Sequence, residues 1–147
     1  IQGKRSVDSI HKELGLIMWD FVGMGRTAEG LKEGIKRIDA IKKEFWTNVY
    51  IPGTADHLNN ELEKALRLAD FIEIGRLMAV DALHREESCG GHFREEYQTP
   101  EGEALRQDDK FSYVGCWKYM GEDQEPQLIK EPLDYEFTER KTRNYKN

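Results

Sequence analysis

Three features that would place this protein in a special class are scarce or missing: a long apolar run, a set of cysteines and an excess of positive charge. No apolar stretch approaches the roughly 20 residues that a membrane-spanning helix needs, so we expect no membrane insertion. Cys89 and Cys116 are the only cysteines, which argues against a disulfide framework and favours reduced thiols in a cytoplasmic protein. The start of the sequence shows no signal-peptide pattern. Because its first residue is Ile1 and not methionine, we expect a piece of a longer chain.

The net charge of −6 argues against a nucleic-acid partner, because phosphate binding needs a concentrated positive face. Two short basic clusters are present: Lys42–Lys43, and Arg140–Lys141 with Arg143 and Lys146 close behind. Clusters this small favour solvated faces over a polyanion site. The 147 residues are enough for one domain with a core of its own.

The first half of the chain has the apolar spacing of three amphipathic helices. The stripes, which are apolar except at Arg76, are Ile10, Leu14, Ile17, Met18 and Phe21; Leu31, Ile35, Ile38, Ile41 and Phe45; and Leu58, Leu62, Leu66, Ala69, Ile72, Arg76, Ala79 and Leu83. Ser6 or Asp8 is the expected N-cap of the first helix and Thr27 that of the second, while the third begins near Asp56 or Asn59. One long helix beside two shorter ones predicts an up-down-up three-helix bundle. A second contact face on the third helix is indicated by Leu68, Phe71, Ile74 and Met78, which lie off its stripe.

The second half has the composition of short strands and turns. Residues 111–120 and 126–137 are rich in β-forming side chains, and Pro126 and Pro132 favour edge or extended segments. The fold class predicted is therefore mainly α, with a three-helix bundle over residues 1–91 and a short β-rich tail over residues 92–147. We expect the tail to pack on the bundle as one structural domain.

Gly23-x-Gly25-x-x-Ala28 formally matches the dinucleotide-binding fingerprint. That motif binds a pyrophosphate only where it follows a strand and opens a helix. The residues before it keep helical spacing, and no second strand follows at the right place. The pattern therefore favours a tight turn between two helices.

The segment HREESCGGHFREE, residues 84–96, has three interpretations. It supplies possible zinc ligands in His84, Cys89 and His92, with Cys116 downstream, but not in one of the strong paired spacings. Cys89 and His92 also fit a thiol nucleophile with its base, although no third group is in place to orient the histidine. The third interpretation is the exit of the long helix, with HREES as its last turn and Gly90–Gly91 giving the backbone freedom to leave it. This interpretation fits the pattern best.

Four stretches in order resemble the C-terminal region of the flavoprotein subunit of succinate dehydrogenase and fumarate reductase. They are MWDFVGMGRTAEGLKEGI (18–35), LADFIEIGRLMAVDALHREESCGGHFREEY (68–97), DDKF…CWKY, and the closing EPLDYEF…RKTRNYK. The family's signature at the helix exit is matched by Arg85, Glu87, Ser88, Gly90, His92 and Arg94. Two positions depart from it. Cys89 stands where many members have arginine and Gly91 where they often have alanine, which puts the role of that arginine in doubt here.

The resemblance implies a spectrin-repeat-like bundle with a β-rich tail, and a structural role for the six signature residues. It implies no catalytic, cofactor-binding or metal-binding residue in this chain, because the family's flavin-linking histidine, nucleotide-binding glycines and proton-delivering arginine lie upstream. FAD would belong to the parent subunit. The implied partners are the FAD and capping domains of that subunit and an iron–sulfur subunit, with a cytoplasmic location peripheral to the inner membrane. A free-standing helical adaptor and the C-terminal domain of an aspartate oxidase remain as alternatives.

Overall fold

The computed structural model describes residues 2–142, which form two compact units. The units are Ile1–Leu83 and His84–Asn147, so the division comes after Leu83, whereas the sequence changes character at Gly91. Arg143 and Lys146 of the second basic cluster lie outside the described residues. Helices dominate the first unit and short strands the second, which confirms the predicted fold class.

Three helices make up the first unit, and each begins at a side-chain cap. They are α1 (Val7–Val22), α2 (Ala28–Asn48) and α3 (Asn60–His84). Ser6, Thr27 and Asn59 each accept a hydrogen bond from the backbone N–H three residues later, at 3.2, 3.0 and 3.1 Å. A cap of this kind satisfies one of the N–H groups that the first helical turn leaves without a partner. The predicted helix starts are therefore confirmed.

Short strands flank the first two helices and fix their relative direction. β1 (Arg5–Ser6) directly precedes α1, and β3 (Val49–Tyr50) directly follows α2. These two strands pair with each other in parallel, while β2 (Gly25–Arg26) lies in the turn between the helices. The start of α1 therefore lies beside the end of α2, and the two helices are antiparallel.

Two ion pairs fix the direction of α3. Arg76 contacts Asp39 at 2.6 Å, and Glu73 contacts Lys42. The partner on α2 moves forward in the chain as the residue on α3 moves backward, so α3 is antiparallel to α2. The bundle is up-down-up, as predicted.

Apolar side chains from all three helices meet in the bundle core. Those buried there are Val7, Ile10, Leu14, Ile17, Ile38, Ile41, Phe45, Val49, Ala65, Leu68 and Ile72. The stripe predicted for α3 is wrong at its start, because Leu58 and Leu66 are exposed while Leu68 is buried. The face that enters the core carries small residues, and a Cβ added at Gly75 would lie 3.1 Å from the Met18 sulfur. Small residues there let α3 approach α1 closely, which the spacing of large residues alone does not show.

The second unit consists of short elements joined by turns. They are β4 (Phe93–Arg94), α4 (Asp108–Phe111), β5 (Tyr113–Lys118) and β6 (Gln127–Pro132). β5 and β6 form an antiparallel hairpin in which Cys116 faces Ile129. Both predicted β-rich segments therefore contain a strand, although the second strand ends before residue 133. No helix within residues 2–142 is long and apolar enough to cross a membrane.

Candidate functional site

The backbone leaves α3 earlier than predicted. α3 ends at His84, so HREES is not its last turn. Glu87 and Ser88 turn inward and are only 2% and 0% exposed. The reason is that both find partners far along the chain: Glu87 Oε2 accepts from the backbone N–H of Gln107 at 2.9 Å, and the Ser88 N–H donates to the Leu105 carbonyl at 2.9 Å. These bonds replace those of another helical turn.

Arg85 pairs with the buried Glu87 carboxylate and also donates hydrogen bonds to backbone carbonyls at the start of the hairpin. One guanidinium nitrogen, Nη1, lies 2.9 Å from Glu87 Oε1 and 3.1 Å from the Phe111 carbonyl oxygen. The other, Nη2, donates to the carbonyl of Tyr113 at 3.0 Å. The guanidinium carbon also lies 5.2 Å from the centre of the Tyr113 ring. A buried carboxylate needs such a partner, since an unpaired charge away from water is costly.

Ser88 and Arg94 form a reciprocal pair. The Ser88 hydroxyl donates to the Arg94 carbonyl at 3.1 Å and accepts from the Arg94 N–H at 2.9 Å. The Arg94 side chain is 2% exposed, contacts Glu96 at 3.1 Å and lies over the Tyr97 ring at 5.4 Å. One buried hydroxyl therefore bonds to both backbone groups of a residue six positions away, and the Arg94 carbonyl also accepts from the Tyr97 N–H at 2.8 Å.

A tight turn joins these residues. Cys89 and His92 exchange two backbone hydrogen bonds, 2.8 and 3.0 Å long. Gly90 in this turn has φ +59°, a left-handed conformation that favours glycine. The imidazole Nε2 of His92 lies 2.8 Å from the Arg85 carbonyl oxygen, so this nitrogen carries the proton and donates. We call Arg85, Glu87, Ser88, Gly90, His92 and Arg94 the exit cluster.

The geometry bears on the zinc and thiol interpretations of the same segment. His84 Nε2 is 2.8 Å from the Tyr113 hydroxyl, and His92 Nε2 is held by a backbone carbonyl. Cys89 and Cys116 are both exposed free thiols. Within residues 2–142 no three His, Cys, Asp or Glu side chains gather in a way that could hold a metal ion. In this structure the described contacts of the two histidine Nε2 atoms are therefore hydrogen bonds within the second unit.

The glycine motif before α2 lies in a helix–helix turn, as predicted. Gly23 caps the end of α1, and Gly25 begins the two-residue strand that leads to α2. A helix therefore precedes the motif, whereas the dinucleotide fingerprint requires a strand in that place.

The sequence did not predict the partners of the exit cluster that lie between residues 105 and 113. Leu105, Gln107, Phe111 and Tyr113 supply backbone groups to it, and backbone partners leave no mark in the side-chain pattern. Next to them, Asp108 accepts two hydrogen bonds from Arg106, 2.9 and 2.7 Å long, and this carboxylate raises the pKa of Arg106.

We expect Ser88→Ala to lower the stability of the second unit by about 1–3 kcal/mol. The reason is that the Arg94 N–H and carbonyl both lose the buried hydroxyl that pairs with them. Amide hydrogen exchange of the β5–β6 hairpin measures the loss. Ser9→Ala is the matched control, because the Ser9 hydroxyl is exposed and bonds to the preceding turn; it should change stability by less than about 0.5 kcal/mol. Equal effects of the two substitutions would contradict this account of Ser88.

Comparisons with known proteins agree with the fold. The family described as "Fumarate reductase flavoprotein C-term" matches residues 11–145. The fumarate reductase flavoprotein subunit of Helicobacter pylori is 28% identical over 135 residues, which are 90% of this chain and 18% of that protein. L-aspartate oxidase of Yersinia pestis is 33% identical over 88 residues, 58% of this chain and 15% of that protein.

Among solved structures, the E. coli quinol fumarate reductase superposes with a TM-score of 0.80 and 25% identity. The match covers 95% of this chain and 23% of that chain. This sequence therefore spans under a quarter of each relative described. Because the family match takes in most of its residues, the chain belongs to the family of C-terminal domains of succinate dehydrogenase and fumarate reductase flavoproteins.

Proposed function

We propose that this domain carries out no chemistry of its own and supports the FAD domain of a succinate dehydrogenase or fumarate reductase flavoprotein. In this proposal it also offers surface to an iron–sulfur subunit and so lies peripheral to a membrane. The parent reaction is the interconversion of succinate and fumarate, with electrons passing to or from quinone. The family membership and the relatives' names support the parent, and the surface of the bundle supports the docking role.

The observation that carries the docking role is an exposed apolar surface on α1 and α3. Trp19 of α1 is 81% exposed, and Phe71, Ile74 and Met78 of α3 are 44%, 54% and 49% exposed. The His11 ring lies 5.5 Å from the Phe71 ring, so the row His11–Gly15–Trp19 runs beside the row on α3. We call Trp19, Phe71, Ile74 and Met78 the α1–α3 face.

Such a face is unfavourable in water. Clustered large apolar side chains on a soluble protein mark a contact with another protein surface. Single exposed apolar residues need no such explanation, but these four share one side of two parallel helices. A neighbouring domain of the same subunit, which these residues would contact, explains the cluster. Phe71, Ile74 and Met78 are three of the four residues that the sequence sets apart from the core stripe, while Leu68 is buried.

The starts of the three bundle helices do not fit the pyrophosphate of FAD. A pyrophosphate is bound by the free N–H groups at a helix start, where the helix dipole is positive. All three bundle helices begin with a side-chain cap and carry an acid in the first turn, namely Asp8, Glu29 and Glu61. These carboxylates would repel the phosphates. In this proposal the described residues take no part in the flavin reaction.

The experiment is reconstitution. A flavoprotein truncated before this domain is mixed with the iron–sulfur subunit and with this chain, and succinate-driven dye reduction is measured. We expect the chain to restore activity. Absence of activity with a folded chain would remove the docking proposal and favour a free-standing adaptor, or would require a covalent link. A control in which the same two polypeptides are joined by a peptide bond distinguishes these outcomes.

The α1–α3 face is tested in the same assay. Trp19→Ser combined with Phe71→Ser should raise the concentration of chain needed for half-maximal restoration by about 30-fold or more, since central aromatic contacts often contribute over 2 kcal/mol each. Trp46→Ser is the matched control, because Trp46 is 56% exposed on α2, away from this face. Unchanged restoration by the double variant would show that another surface docks.

The L-aspartate oxidase relative supports a second parent. It is 33% identical over 88 residues, so an aspartate oxidase is an alternative whole protein. Adding this chain to a truncated L-aspartate oxidase and measuring aspartate-dependent dye reduction separates the two. We expect restoration of the succinate reaction and none of the aspartate reaction.

A further inference from the structure

The residues that precede α1 lie along the residues that follow α2. The Gly3 N–H donates to the Val49 carbonyl at 3.0 Å, and the Lys4 N–H donates to the Asn48 side-chain oxygen at 3.0 Å. Immediately after them, β1 pairs in parallel with β3. We call residues 2–6, together with the residues that they pair with, the N-terminal clip. The polypeptide is therefore bonded to the end of α2 before α1 begins.

The two segments of the clip approach each other so closely at one position that glycine is required there. A Cβ atom added to Gly3 would overlap the backbone carbonyl of Asn48. Gly91 shows the contrast, because a Cβ added to it would meet no atom within 4 Å. Since Gly3 has no side chain, the two backbones of the clip lie in direct contact. Such a contact leaves the segment little freedom to turn relative to the bundle.

Arg5 ties the clip to both of the helices that it joins. Its Nη1 atom lies 2.8 Å from Glu13 Oε2 on α1 and 2.7 Å from Glu44 Oε2 on α2. The next residue, Ser6, is the N-cap of α1, so no spacer separates the clip from the helix. Ion pairs near the surface add little stability each. Their effect here is geometric, because one guanidinium group holds the clip to two helices at once.

In a parent flavoprotein, the clip lies where the rest of the polypeptide reaches this domain. The family is one of C-terminal domains, and this chain spans 18% and 23% of two of the relatives described. In a parent of this kind, the larger part of the polypeptide precedes the bundle and continues directly into the clip. The segment that the clip holds is thus part of the same polypeptide and is covalently continuous with it.

We propose that the N-terminal clip fixes the direction in which the parent polypeptide enters the bundle and thereby turns the α1–α3 face toward the FAD domain. This inference rests on the proposed function, to which it adds a positioning device. A domain that is joined to its neighbour docks as if at an effective concentration, which is about millimolar for a short flexible linker. A stiff attachment that already points the right way raises this effective concentration, because less orientational freedom is lost on docking.

The test places Gly3→Ala in two forms of the reconstitution assay. In the first form this chain is a separate polypeptide, and in the second it is joined to the flavoprotein by a peptide bond. The joined proteins also carry Trp19→Ser and Phe71→Ser, so that docking is weak enough to depend on the attachment. For the separate chain we expect the half-maximal concentration to stay within about 2-fold of the native value, since no attachment is present. In the joined protein, Gly3→Ala should lower succinate-driven dye reduction by about 3-fold or more.

A second substitution, Asn48→Ala, opens the clip without a steric clash. It removes the acceptor of the Lys4 N–H, so in the joined protein it should act in the same direction as Gly3→Ala and less strongly. Hydrogen exchange of the amides at positions 3 and 4 measures whether the clip has opened, and it should become about 10-fold faster or more. Gly91→Ala is the matched control and should leave both forms of the assay unchanged, because its added Cβ meets no neighbour.

A joined protein with the native α1–α3 face separates positioning from folding. Docking is then strong enough to be complete without the clip, so Gly3→Ala should leave its activity unchanged. Loss of activity there, or with the separate chain, would assign the clip to folding of the bundle and overturn the positioning role.

Unchanged activity of the weakened joined protein, with fast exchange at positions 3 and 4, would also overturn the inference. The proposed function would remain in that case, provided that the native protein is active. A native protein that is inactive both as separate chains and when joined would instead remove the proposed function, and this inference with it.

Discussion

Replacing Arg85 by methionine is expected to lower the stability of the second unit by about 3–5 kcal/mol. Methionine keeps much of the side-chain volume and removes the charge. Glu87 is 2% exposed. Without Arg85, the described hydrogen-bond partner that remains for its carboxylate is the Gln107 N–H. The carbonyls of Phe111 and Tyr113 would lose their guanidinium donors at the same time. The uncompensated buried charge and the loss of these two donors both lower the stability of the second unit.

Amide exchange under native conditions measures this loss unit by unit, because each unit reports its own opening free energy. We expect faster exchange in β5 and β6. Arg37→Met is the matched control, since Arg37 also pairs with a glutamate, Glu33, at 2.8 Å but at an exposed site. It should change stability by about 0–1 kcal/mol. A small effect of Arg85→Met, comparable with the control, would contradict the account of the exit cluster.

A double substitution sharpens the test. Glu87→Leu in the Arg85→Met background removes the buried charge as well as its partner. Replacing a buried ion pair by apolar residues is often close to neutral, whereas breaking it from one side is costly. We therefore expect the double variant to be more stable than Arg85→Met alone. The Gln107 N–H would lose its carboxylate acceptor, so recovery should be incomplete.

The helices were predictable from local chemistry. Ser6, Thr27 and Asn59 are residues whose side chains cap the helix that follows them, and the caps lie where the apolar stripes begin. The direction of the bundle followed from helix lengths and turn positions. The core face of α3 was less predictable, because Ala65, Gly75 and Ala79 give weaker signals than the exposed Leu58 and Leu66.

The exit cluster was predictable only in its location. Gly90 and the charged residues around it mark a change of structure, and the family resemblance adds Arg85 and His92. The partners of Glu87 and Ser88 are backbone groups far along the chain, at Gln107 and Leu105. No local rule connects such positions. The sequence therefore predicts that α3 continues through Ser88, whereas the helix ends at His84.

Within the bundle, Ile72→Ala should lower the free energy of unfolding of the first unit by about 2–5 kcal/mol. Ile72 is 1% exposed and lies in the core with residues of all three helices. The loss combines the removed apolar surface with the cavity that remains, because close-packed neighbours relax only in part. The free energy of unfolding is measured by urea unfolding, with hydrogen exchange of the α1 and α2 amides as the readout.

Ile74→Ala on the same helix is the matched control. We expect it to leave stability unchanged and to weaken docking. Ile74 is 54% exposed, so its truncation should change stability by less than about 0.5 kcal/mol. It belongs to the α1–α3 face, however, and should weaken restoration of succinate-driven activity, whereas Ile72→Ala should restore activity normally at temperatures where the bundle remains folded. Two isoleucines, two positions apart, thus separate folding from docking. If Ile74→Ala lost stability and kept full docking, the α1–α3 face would be part of the core's support and the docking surface would lie elsewhere.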